Sequence, residues 1–209
     1  MTFEEAPKPV LVAPIAAVTL FGLLGMDGLL SRGDGVILLV GYVIALAYVG
    51  ETFRQMAARS NEPLSGESAR IHGGRFNPLD SFPVLYLCTT RLCTVAELRH
   101  LGDRLVIDVE GLLPRMLFRY ETSLDRVLDL TSAETLDHVG VTTAQIVGAD
   151  LTIPRQIGES AHATGSQAIR APSATGVDHE TALAVFPELL GSGRLMPELI
   201  ERWASTNDL

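Results

Sequence analysis

Residues 68–78 read SARIHGGRFNP. Two adjacent glycines, Gly73 and Gly74, stand directly before Arg75, in a stretch too polar to be core. A Gly-Gly pair permits a tight turn and lets backbone approach a ligand closely. A neighbouring arginine presents a planar fork suited to phosphate oxygens. The same residues also make an ordinary surface turn with an exposed arginine, so the surroundings have to decide.

Working outward, the residues from Glu51 onward alternate between short strand and helix signals. PVLYLC (83–88) is an apolar, aromatic run bounded by turn residues and predicts a strand. TVAELRHLG (94–102) carries Val95, Leu98 and Leu101 at helical spacing. RLVIDVE (104–110) and DRVLDL (125–130) read as strands. TSAETLDHVG (131–140) opens on a capping-box pattern, Thr131 or Ser132 with Glu134, and closes on Gly140, which predicts a short helix. PRQIGESAHATG (154–165) has proline at its start and glycine at its end, again a helix. AIRAPSA (168–174) and TALAVFPE (181–188) are strand-like, and MPELIERWAS (196–205) predicts a closing helix. Strands and helices mix without a regular βαβ period, so the fold class is α+β.

The 209 residues carry a formal net charge of −9, with 16 Lys and Arg against 25 Asp and Glu. An acidic chain of this kind lacks the electrostatic footprint of a general nucleic-acid binder. A local arginine cluster can still serve a small anion. The two cysteines, Cys88 and Cys93, lie in one apolar segment and form neither a disulfide framework nor a zinc site. They read as free buried thiols.

The 47% hydrophobic content is concentrated before residue 51. PVLVAPIAAVTLFGLLGM (9–26) and VILLVGYVIALAYVG (36–50) are almost wholly apolar and flank a polar turn. Each lies near the lower limit for crossing a bilayer, which predicts an N-terminal hydrophobic helical hairpin over residues 1–50 and a second unit over 51–209. A buried hairpin in a soluble fold is the competing reading. Arg54 and Arg59 after the second run would place both ends of a membrane hairpin in the cytoplasm. The segment GMDGLLSRGDGVILLVGYVIALAYV (25–49) resembles a loop and transmembrane helix of the cation–calcium exchanger family. No ion-binding repeat accompanies it, so it reads as an anchor or a gene-fusion relic.

Phosphate-binding P-loops, dinucleotide-binding glycine fingerprints, zinc-protease helices and nucleophile elbows are all absent from the sequence. The five histidines show no metal-ligand spacing. What remains is a polar set: Arg54 in TFRQM, Arg75 after the glycines, Tyr86 in the 83–88 strand, Glu97 in the following helix and Ser173 in a Pro-Ser-Ala turn. Each alone has a bland explanation. Together they offer two arginines for a pyrophosphate, an aromatic face for a planar ring and a carboxylate for a developing oxocarbenium ion. Those are the parts needed to cleave an N-glycosidic bond in a dinucleotide such as NAD.

The stretch TFRQMAARSNEPLSGESARIHGGRFNPLDSFPVLYLCTTRLCTVAELRH (52–100) resembles the start of the RES domain, the toxin of RES–Xre toxin–antitoxin systems. RVLDLTS, RQIGESA and AIRAPSA extend the likeness over about residues 51–190. The resemblance implies an ADP-ribosyltransferase-like mixed α/β domain that consumes NAD by phosphorolysis, with phosphate as co-substrate, by hydrolysis, or by modifying a protein. It implies that Arg54, Gly74 and Arg75 face the phosphates and ribose, that Tyr86 packs on the nicotinamide side, that Glu97 is the catalytic acid and that Ser173 contacts the substrate. It implies no metal, an Xre-type antitoxin as partner, and a cytoplasmic RES domain, free or held at the inner membrane by residues 9–50. The alternative is an inactive, membrane-anchored exchanger remnant fused to a degenerate RES module that only binds an antitoxin. Three departures stand out: Ser68 where the family has glycine, Gln55 after Arg54, and the stretch 175–186.

Overall fold

The computed structural model describes residues 46–57, 62–177 and 179–209. Six strands carry the fold: β1 (Leu46–Ala57), β2 (Leu85–Cys88), β3 (Arg115–Asp129), β4 (Ala168–Pro172), β5 (Thr181–Val185) and β6 (Arg194–Trp203). They are bonded in the order β1-β2-β5-β4-β3-β6, and β1 also pairs with β3. The first five strands therefore close a circuit, with β6 added on β3. Every pairing is antiparallel except β3 with β4. The circuit is thinnest between β1 and β2, which meet at one pair, Phe53 with Cys88.

Among the described residues six α-helices decorate it: α1 (Glu67–His72), α2 (Arg91–Leu105), α3 (Val109–Leu112), α4 (Ala133–Val139), α5 (Thr143–Val147) and α6 (Thr152–Ala163). Their ends follow local chemistry. Thr90 caps α2 by accepting the Cys93 N–H at 3.0 Å, and Ser132 caps α4 by accepting the Thr135 N–H at 3.1 Å. Gly140 closes α4 in the left-handed conformation.

Alternation along β2 distributes side chains to two cores. Leu85 and Leu87 join Tyr120, Leu124, Val127, Ala168, Leu183 and Val185 in a cluster made almost wholly of strand residues, inside the circuit. Val84 and Tyr86 join Phe76, Leu128, Ile169, Ala184 and Phe186 under the helix residues Leu136, Ile146 and Ile157. A third cluster seats α2, through Val95 and Leu98, on Leu117, Trp203 and Phe53.

The α+β class and the strands at 83–88, 125–130, 168–174 and 181–188 agree with the sequence reading, as do the helices at 94–102, 131–140 and 154–165. Three expectations are corrected. Residues 104–110 are no strand: they end α2, pass through Val106 in the left-handed conformation and begin α3. Leu105, Val106 and Ile107 are exposed, because no strand lies beside them to be paired. Residues 196–203 form β6 rather than a helix, since pairing with β3 from Arg194 to Trp203 outweighs local periodicity. Pro197 is tolerated there because β6 is the terminal strand.

The third correction concerns the apolar N-terminus. Leu46–Gly50, the end of the second apolar run and of the exchanger-like segment, belongs to β1 and pairs with residues 122–127 of β3. This run ends in sheet, with Tyr48 packed in the inner cluster, and β1 crosses the boundary drawn at Gly50. The rest of the expected hairpin, residues 1–45, lies outside the described residues. Among the described residues no helix is long and apolar enough to cross a membrane.

Leu98 is fully buried where α2 meets the sheet. Leu98→Ala is expected to cost about 2–5 kcal/mol, read as a lower urea midpoint with an unchanged m-value.

Candidate functional site

The GGRFNP turn is built from the inside out. Gly73 ends α1 with φ of 67°, a conformation that favours glycine. A Cβ on Gly74 would stand 2.6 Å from the Tyr86 Cε2 and 2.7 Å from the Asn77 Oδ1, so only glycine fits against the tyrosine. The Tyr86 hydroxyl accepts the Phe76 N–H at 2.8 Å and donates to the Asn77 Oδ1 at 2.9 Å. Asn77 is fully buried and donates onward to the Ala69 carbonyl at 2.7 Å. Burial pushes the Tyr86 phenol well above its ordinary value of 10.0, and the hydrogen bond from the Phe76 amide offsets this only in part.

Arg75 leaves this turn half-buried. Its Nη1 donates to the carbonyls of Ile146 at 2.6 Å and Gly148 at 3.0 Å, at the end of α5. Burial lowers the guanidinium pKa from 12.5, while the neighbouring Glu97 carboxylate acts the other way. It stays charged across the physiological range. Arg104, exposed on the last turn of α2, adds a second positive charge near it.

Glu97 projects from α2. Its Oε1 accepts the Ser173 hydroxyl at 3.0 Å, and Ser173 lies within 3.0 Å of the Thr175 hydroxyl. Ser173 is 7% exposed, just beyond the end of β4. The structure thus brings Arg75, Tyr86, Glu97 and Ser173 to one side of the circuit, with Gly74 between Tyr86 and the turn.

Arg54 stands apart from these four. Its Nη1 donates to the carbonyls of Pro63 at 3.1 Å and Ser65 at 3.2 Å, beside Tyr120, whose hydroxyl donates to Pro63 at 2.7 Å. Phe53 points to α2, so strand alternation turns Arg54 the other way. A groove of about 240 Å³ follows α2 past Val95, Ala96, Arg99 and His100 to Thr175 and Val177. It touches the site at Thr175 and includes none of Arg75, Tyr86 or Glu97.

Both cysteines are free and buried. The hydrogen bond with Cys93, and then burial, push the Cys88 thiol pKa up, which leaves it unreactive. Among the described residues no group of three or more His, Cys, Asp or Glu is arranged to hold a metal ion.

Sequence reasoning assigned no role to Asn77, Thr175, Arg104 or Arg155. Asn77 lay inside the quoted GGRFNP and Arg155 at the head of RQIGESA, so both carried a positional signal. Arg104 and Thr175 carried none, because only the packing of α2 and the 173–177 turn brings them to the site.

A family model described as RES domain matches residues 52–204. Two relatives named NAD(+) phosphorylase MbcT, from Mycobacterium tuberculosis and Mycobacterium bovis, are 30% identical over 129 residues, covering 61% of this chain and 69% of theirs. A solved structure of the M. tuberculosis MbcT–MbcA toxin–antitoxin complex contains a chain of similar fold, with a TM-score of 0.67 and 24% identity over 80% of this chain and 92% of that one.

Tyr86→Phe leaves the Phe76 N–H and the Asn77 Oδ1 without their partner, at an expected cost of about 1–3 kcal/mol. A folded pKa above the unfolded one keeps its full stabilisation below pH 10.0 and loses it as pH rises further. Denaturation midpoints measured between pH 8 and about pH 11 should therefore fall less steeply in Tyr86→Phe than in the wild type.

Proposed function

We propose that this chain, which belongs to the RES domain family, is an NAD-consuming toxin that breaks the bond between nicotinamide and ribose. The observation that carries the reading is the Glu97 carboxylate held by Ser173 at 3.0 Å, on the side of the fold that presents Arg75. The relatives named NAD(+) phosphorylase supply the substrate class.

As the nicotinamide leaves, positive charge develops on the ribose C1′ and ring oxygen. A carboxylate fixed beside that centre stabilises the oxocarbenium-like state, and an anchored carboxylate does so without reorganising. Glu97 takes this role, and Ser173 holds it while contacting the substrate. Arg75 uses Nη1 for its anchors, and its Nε and Nη2 make no hydrogen bond among the described residues. They form the fork for the pyrophosphate, and Gly74 lets the turn that presents them close against Tyr86. Tyr86 offers its ring to the nicotinamide side while its hydroxyl stays committed to the turn. Arg54 fixes the 63–65 segment that leads into α1.

In the phosphorolytic route a phosphate oxygen attacks C1′, the C1′–N bond breaks, and the products are nicotinamide and ADP-ribose 1″-phosphate. In the hydrolytic route water attacks instead and leaves ADP-ribose and a proton. The names of the relatives put phosphorolysis first. The same reading makes the cleft ADP-ribosyltransferase-like and gives it an antitoxin partner of the Xre type, in keeping with the toxin–antitoxin complex of similar fold. It sets the domain in the cytoplasm, where the NAD pool is.

The purified full chain is expected to deplete NAD with release of nicotinamide, faster with phosphate than without. Arg75→Ala and Glu97→Gln should each lower the rate at least about 100-fold, with products followed by chromatography. Unchanged NAD with folded wild-type protein, in both buffers, would overturn the proposal.

A further inference from the structure

The helix α6 contains RQIGESA (155–161), a segment to which the site described above gives no task. Its side toward the GGRFNP turn is specific. Arg155 donates its Nε to the Gly74 carbonyl at 3.1 Å. One turn along, Gly158 presses its Cα against the Phe76 carbonyl, and a Cβ there would overlap that oxygen. Ile157 packs in the same cluster as Phe76.

The remaining polar groups around Arg75 are fixed as well. The Gly74 N–H donates to the Asn77 carbonyl at 2.9 Å, and the Phe76 N–H donates to Tyr86 at 2.8 Å. The Arg75 guanidinium is tied to the carbonyls of Ile146 and Gly148. Those carbonyls end α5, and α6 starts at Thr152, a few residues later. The α5–α6 unit therefore grips Arg75 at both ends, by the guanidinium through α5 and by the preceding peptide through Arg155. Arg155 makes no ion pair among the described residues, so the Gly74 carbonyl is the hydrogen-bond partner that sets its position.

We propose that Arg155 is a positioning residue for Arg75, acting through the Gly74 carbonyl to hold the Gly74–Arg75 peptide in the orientation that presents the guanidinium fork. This inference deepens the NAD-cleaving reading and rests on it for its kinetic readout only. Without Arg155 the guanidinium keeps its α5 anchors, but the peptide that carries it can rotate. A displacement of about 1 Å is worth about 10- to 100-fold in rate when it moves a substrate-binding group. The effect belongs to Arg75 alone.

The test uses the full chain with Arg155→Met, and Arg155→Lys should the first variant fail to fold, since an ammonium on a straight stem does not reproduce the Nε–H bond. Amide exchange of the peptide covering Gly73–Asn77 should rise about 10-fold or more while that of β3 is unchanged. Unchanged exchange over 73–77 overturns the proposal whatever the activity. In NAD cleavage, kcat/KM should fall about 10- to 100-fold in Arg155→Met, and adding Arg155→Met to Arg75→Ala should produce no further fall. A further fall by the same factor in the double variant would show that Arg155 acts independently of Arg75, and would also overturn it. A folded wild type that leaves NAD intact counts against the enzymatic reading, and the exchange measurement still decides the positioning role.

Discussion

One phenolic hydroxyl, on Tyr86, transfers the geometry of the sheet to the turn that carries Arg75. It takes the Phe76 N–H and gives its own proton to Asn77, and Asn77 passes the constraint to the carbonyl of Ala69 at 2.7 Å in α1. A buried hydroxyl with both functions used is strongly directional, because leaving either partner unpaired costs more than the bond itself gains. The ring fills the space that a side chain at residue 74 would need. The second glycine and the tyrosine are therefore one feature, twelve residues apart in sequence and in contact in space. The same commitment removes the hydroxyl from proton chemistry: burial keeps it neutral, and its proton is held by Asn77.

The acidic half of the site has a comparable joint. Glu180, between β4 and β5, accepts the Thr90 hydroxyl on its carboxylate at 2.6 Å, and its backbone carbonyl accepts the Ser173 N–H at 2.9 Å. Thr90 caps α2, which carries Glu97, and Ser173 is the residue that binds Glu97. A single residue thus sets the start of the helix and the position of the serine together. The Glu97–Ser173 distance is fixed by backbone elements at both ends, which is the arrangement that preorganised electrostatic stabilisation requires.

What the sequence made legible was mostly local. The helix over 133–139 announces itself through Ser132 and Gly140, and the turn at 73–78 through its glycines, because caps and turns are decided by residues in contact along the chain. Arg75, Tyr86, Glu97 and Ser173 were legible through the RES resemblance rather than through spacing, since α2 and the β4–β5 connection bring them together only in the folded chain. β6 was misread because MPELIERW has helical periodicity, whereas its partner, residues 115–123, lies far upstream. The last five residues of the apolar run, Leu46–Gly50, lie in β1 for a different reason. A short apolar stretch reads alike as strand or as buried helix, and periodicity alone does not separate the two. Arg54 shows a third kind of limit. Its neighbour Phe53 points to α2, and one residue of strand register sets the arginine on the other side.

The arginines explain how an acidic chain of net charge −9 keeps a positive site. Arg70, Arg91, Arg119 and Arg170 are paired with Glu67, Glu201, Glu198 and Asp129. In each pair the carboxylate cancels the charge at short range. Arg54, Arg75 and Arg155 are held differently, by the carbonyls of Pro63 and Ser65, of Ile146 and Gly148, and of Gly74. A carbonyl oxygen orients a guanidinium through its dipole and leaves the full unit charge in place. The fold therefore fixes these side chains without neutralising them, and the half-buried Arg75 guanidinium is held in place as a charge already partly desolvated. Glu97 is the carboxylate whose charge acts on Arg75. It is engaged by the Ser173 hydroxyl rather than by a guanidinium, so neither charge is cancelled by an ion pair with the other.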